Sequence, residues 1–223
     1  MNIAKRLAAI TFTLVLLPSS ALHAVDAWWI TLNAPNYTLS EHVKTRSHAE
    51  FRFPEAEFLG YYRFSQKFNT RLGKKWTLGT HPTIEGSRSR SQSDYNETYR
   101  IDLELNPNPI QFGEGGPTLA LRNRWEVQWK EGRGSEVFNR VRQYTTLTWP
   151  VNHDLIKFYR IGNEVFYDAD RSVISMNRLY PVMLGLPISD AFSCSVYYMY
   201  QRSRVGTSHS WRTTHVIGTS LSF

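Results

Sequence analysis

Only one cysteine, Cys194, occurs in the 223 residues. Neither a disulfide framework nor a cysteine-rich zinc cluster can therefore organise the fold. Acidic residues are outnumbered, 19 against 26 lysines and arginines. A basic balance can indicate nucleic acid, but the export signal described below removes that partner and leaves anionic lipid or internal pairing. Long apolar runs are absent after residue 24: the uncharged stretch Leu179 to Ser189 is broken by Pro181, Gly185 and Pro187, so no later segment reads as a membrane-spanning helix. Helical periodicity is equally scarce, with residues 56–70 the one stretch where a helix competes with a strand. The histidines and carboxylates form no helix-type metal pair and no calcium loop. No metal and no other cofactor is expected.

What is present is alternation. In "LALRNRWEVQW", Leu119, Leu121, Trp125, Val127 and Trp129 share one parity, broken only by Asn123. Ala120, Arg122, Arg124, Glu126 and Gln128 share the other. Period two is a β-strand with one apolar and one charged face. The pattern recurs over residues 43–53, 61–69, 75–85, 95–105, 140–149, 156–167, 174–186, 191–202 and 212–223, with turn signals between. Pro181 blurs the parity of its strand and predicts a bulge there. The expectation is all-β: an antiparallel up-and-down barrel of about ten strands, with about 8–12 permitted.

The N-terminus is a different kind of segment. Lys5 and Arg6 precede an apolar run from Leu7 to Leu17, and "LHA" ends at Ala24. This reads as a secretory signal peptide over residues 1–24. Residues 25–37, with Trp28 and Trp29, are expected to form a periplasmic lead or inner plug, because an eleventh strand would break the even count. Residues 38–223 are then the barrel.

The charged faces decide which way the strands point. Lys44, Arg46, Arg52, Arg63, Lys67, Lys75, Arg100, Arg122, Arg124, Arg140, Arg142, Arg160 and Arg178 have polar parity, as do Glu50, Glu85, Asp102, Glu104, Glu126 and Glu164. A soluble sheet needs a second layer over its apolar face, and the sequence offers no helices to supply one. A barrel in lipid needs no cover, so the arginines point inward and the tryptophans outward. With the C-terminus periplasmic, "PISD", "VNHD" and "RLGKK" fall on the periplasmic side, and "PEAE", "SRSRSQSD", "KEGRGSE", "DADRS" and "HSW" on the other. The expected location is the outer membrane of a Gram-negative bacterium. The expected partners are membrane lipid and the barrel assembly machinery, which would read the terminal Phe223; the barrel is expected to be a monomer.

The motifs "LRNRWEVQW", "NRVRQYTTL", "YRIGNEVFYD", "MNRLYPVMLGL" and "VYYMYQR", followed by "HVIGTSLSF", resemble the uncharacterised outer-membrane barrels grouped as domain of unknown function 2490. The likeness runs over residues 118–223, with a looser match through "WWITLN" and "LGKKWTLGTH". It implies a barrel and a location, and carries no catalytic residue.

The candidate site is the lumen network of Arg122, Arg124, Glu126, Arg140, Arg142, Arg160, Glu164 and Arg178. Paired across strands, it would plug a narrow barrel; with bases in excess, it would suit a small porin-like anion path or an acidic ligand. The alternative is a barrel-embedded lipid hydrolase, a phospholipase or deacylase, which needs a histidine base beside a serine. In "SHS", His209 is adjacent to Ser208 and Ser210, and His48 is adjacent to Ser47, so an extended chain would point each pair to opposite faces. His81 and Glu85 share a face with no serine between them in that register. No catalytic residues are assigned.

Overall fold

A computed structural model describes residues 25–55, 57–189, 191–206 and 209–223. The segment 1–24, read above as a signal peptide, and Ser208 lie outside the described residues. The described chain is all-β, with no helix. Its long strands are β1 (Ala27–Asn33), β3 (Val43–Pro54), β4 (Tyr61–Leu72), β5 (Trp76–Ser87), β6 (Asn96–Pro107), β8 (Thr118–Lys130), β9 (Val137–Pro150), β10 (Phe158–Asp168), β11 (Val173–Pro187), β12 (Ser193–Arg204) and β13 (Trp211–Ser222). Two short strands, β2 (Tyr37–Thr38) and β7 (Ile110–Gln111), flank β3 and β8.

From β3 to β13 each long strand pairs antiparallel with the next, as period-two segments joined by turns must. The ring closes through β1, which lies antiparallel to β3 and parallel to β13. Residues 27–33 are thus the eleventh strand of the wall, where a lead or inner plug was expected. The parity argument failed because it assumed every neighbour antiparallel. One parallel seam lets an odd number of strands close, as odd-numbered barrels do. Residues 61–72 are a strand, which settles the competition with a helix in favour of the period-two reading.

Two prolines interrupt the wall without making edges. At Pro181 the registers of β11 with β10 and with β12 both shift, so the expected bulge is present. Pro82 stands in the middle of β5, where it has no N–H to donate. The β4–β5 ladder accordingly carries no pairing of Gln66 and Lys67 with Pro82 and His81.

The faces sort by polarity. In β8 the Trp125 side is 50% exposed on the outer surface, whereas Glu126 is 0% exposed inside. Ile101, Leu103 and Leu105 on β6 and Phe64 and Phe68 on β4 are also exposed outward, while Arg100, Asp102 and Glu104 between them are buried. Alternation carries the chain back and forth between two rims. The connections after β3, β5, β8, β10 and β12 share one rim, and those after β1, β4, β6, β9 and β11 share the other.

Candidate functional site

The interior is filled by two unlike halves. The first is an ion-pair lattice on β5, β6 and β8–β11. Glu126, at its centre, accepts from Arg140 Nε and Arg142 Nη1 and lies 3.7 Å from Arg124 and 3.8 Å from Arg100. Glu164 receives Arg142 at 2.7 Å, Arg122 at 2.8 Å and Arg178 at 3.4 Å. Asp102 takes Arg100 at 2.6 Å and Arg124 at 2.8 Å, and Arg124 also bonds Glu104. Arg100 reaches Glu85 at 2.7 Å. Three of these bridges join direct register partners: Glu126 faces Arg140, Glu104 faces Arg124 and Glu164 faces Arg178. Opposite charges directly across a ladder attract. In a desolvated interior, charges persist only when paired and hydrogen-bonded.

Seven of the eight sequence-derived residues join this lattice. Arg160 does not: its Nε donates to Thr148 Oγ1 at 2.8 Å, and its Nη1 lies 3.8 Å from Met183 Sδ. It sits toward the rim, beyond the last interior carboxylate on β10, Glu164. Asp102, Glu104, Arg100 and Glu85 belong to the lattice although they fall outside that set. Their polar parity marked them as inward-facing; only the register shows which partners they meet.

The second half is aromatic. Ala27, Trp29, Tyr180, Tyr197, Met199 and Val216 form a buried cluster, with Tyr144 and Met183 packed against it. Tyr180 bridges the rings of Tyr144, at 5.4 Å, and Tyr197, at 5.6 Å. Gly218 leaves the space that Tyr197 occupies; a Cβ there would stand 2.0 Å from the ring. The halves meet through cation–π contacts. Phe166 lies beneath Arg142 at 4.3 Å and Arg178 at 4.6 Å. Trp29 is held by Arg52 at 4.0 Å and Arg178 at 4.8 Å. Desolvated contacts of this kind contribute about 2 kcal/mol or more each. Arg52 and Arg63 in turn bond Glu50, at 2.6 and 2.7 Å. Phe166 shares the parity of Glu164, which is the one sequence signal that puts this aromatic inside.

The hydrolase candidates are engaged otherwise. His48 faces Asn33 Oδ1 through Nδ1 at 3.0 Å and Arg63 Nη2 through Nε2 at 2.8 Å, so both ring nitrogens are occupied. Its register partner Ser65 instead accepts a bond from Thr83 at 2.8 Å. His81 lies 3.7 Å from Glu104 and 3.4 Å from Asn69. Glu85 is taken by Arg100 and by the Tyr61 hydroxyl, and His209 is exposed in a loop. Among the described residues, none of these histidines is hydrogen-bonded to a serine. No group of three metal-ligating side chains occurs among the described residues either.

No curated protein and no solved structure matches the chain. The match that exists is to a family model described as "Protein of unknown function (DUF2490)", over residues 28–212. This span runs from the parallel-seam strand β1 into the last strand, β13, and takes in the whole lattice. The chain belongs to this DUF2490 family.

Proposed function

We propose that the protein is an outer-membrane barrel whose lumen is sealed by its own side chains, a structural or ligand-binding element of the envelope and not an open porin. The observation that carries this reading is the inverted polarity of the wall. Leu103, Trp125 and Leu179 stand exposed outward, while Asp102, Glu126 and Glu164 are buried inside. Water would penalise both faces; lipid outside and ion pairs inside favour both. The aromatic outer residues Trp76 and Tyr167, near strand ends, suit the two membrane interfaces. Sealing rests on the filling of the lumen, because Arg100, Glu126, Arg142, Phe166 and Met199 are all buried inside it.

The test is made on the expressed chain. Processing at Ala24, recovery with outer-membrane lipid and heat-modifiable migration on gels are the expected results. Planar bilayers containing the purified barrel should carry no steady current. Recovery of an unprocessed chain from the soluble fraction would end the location reading. A stable anion current would replace the sealed lumen with a narrow pore.

A further inference from the structure

One part of the lumen is not neutralised. Arg46 on β3 and Lys67 on β4 are directly opposed in the strand register. Both have inward parity, continuing the row of His48 and Glu50 on β3 and of Arg63 and Ser65 on β4. Like charges directly opposite destabilise a sheet, and here the usual remedies are missing. Neither side chain has an ion-pair or hydrogen-bond partner among the described residues, and Arg46 Nε and Arg63 Nε are buried without one. The strongest electrostatic neighbours of Lys67 are Arg124, Arg63, Arg46 and Arg122, all cations. The nearby carboxylates are already committed: Glu50 to Arg52 and Arg63, Glu104 to Arg124.

Lysine and arginine offer only donors, and arginine cannot shed its proton. The complement of two such cations is an acceptor-rich anion such as a phosphate, which carries up to two negative charges. Ser65, beside Lys67 on the same face, adds a hydroxyl to this part of the lumen, hydrogen-bonded to Thr83. Lys44 and Arg71, nearer the rim, are exposed and would draw anions inward. We propose that Arg46 and Lys67 bind a phosphate-class dianion inside the barrel, as free phosphate or as the phosphate of a lipid headgroup. This deepens the sealed-lumen reading, on which it rests.

The experiment follows thermal unfolding of the folded chain in detergent. Sodium phosphate is compared with chloride at equal ionic strength, and dihexanoyl phosphatidic acid with dihexanoyl phosphatidylcholine. A saturable rise in Tm with phosphate supports a free anion, and one confined to phosphatidic acid supports a headgroup. Lys67→Gln and Arg46→Gln should weaken either response roughly tenfold or more, as loss of a charge-assisted bond does. Lys74→Gln, in the turn after β4, should leave it unchanged. The proposal is overturned if chloride matches phosphate and the two lipids act alike, or if both lumen variants respond like the wild type. The wild-type comparison decides even if a variant fails to fold. Heat-modifiable migration reports the barrel separately, so either reading can fail alone.

Discussion

Glu126 touches four arginines and Arg160 touches none of the interior carboxylates, and that contrast makes a measurable pair. Glu126→Gln keeps the shape but strands guanidiniums that cannot deprotonate. Breaking a buried pair from one side costs about 3–5 kcal/mol, and urea unfolding of the folded barrel should show a loss of that order. Arg160→Gln forfeits the bond to Thr148 and the cation–π contact with Phe158, and should cost about 1–2 kcal/mol. Equal losses would mean that the lattice is not a unit. Leu103, exposed outward in mid-β6, tests the other face. Leu103→Arg should cost about 2–4 kcal/mol if lipid surrounds the wall, against about 0.5 kcal/mol or less for a water-facing surface. Parity was enough to place each of these residues in or out. It was not enough to pair them, because partnership depends on register, which the alternation of a single strand does not contain. Arg160 illustrates this, sharing the parity of Glu164 without reaching its neighbours.

The element most poorly legible was β1. Its seven residues make a short strand, and its inward face carries Trp29 where other strands carry charge. That face packs with Tyr180, Tyr197, Met199 and Val216, so the segment joins a part of the lumen whose aromatic character no single strand announces. Ile30 pairs with Phe51 on one side and Thr219 on the other. Ile30→Pro removes a ladder donor at a position flanked on both sides. It should abolish the heat-modifiable form, whereas a free lead or plug would tolerate it. The longer strands were readable because ten or more alternating residues outvote single exceptions such as Asn123 or Pro82. Pro181 was readable as a bulge for the converse reason, that parity itself changes across it.

At the scale of the whole barrel, the proposed sealing would be a collective property, and Glu164 is where it should yield first. Glu164→Gln leaves Arg122, Arg142 and Arg178 without their shared carboxylate. The barrel should melt at lower temperature, and any current that appears in a planar bilayer should favour anions, because the added fixed charge is positive. A cation-selective current would contradict the assignment of the lumen charge. The parallel seam has a different consequence, concerning the ends of the chain. Ala27 pairs beside Pro54 at one rim, while β13 runs with β1 toward the other, ending at Ser222. Barrels of even strand count bring first and last strands to one rim, where a short peptide can join them. Here the seven residues of β1 alone separate the ends by about 23 Å along the strand, and the direct route between them is the packed lumen. A short linker therefore cannot tie the start of β1 to the end of β13. Two tags placed at the start of β1 and after β13 would stand at opposite rims of the barrel.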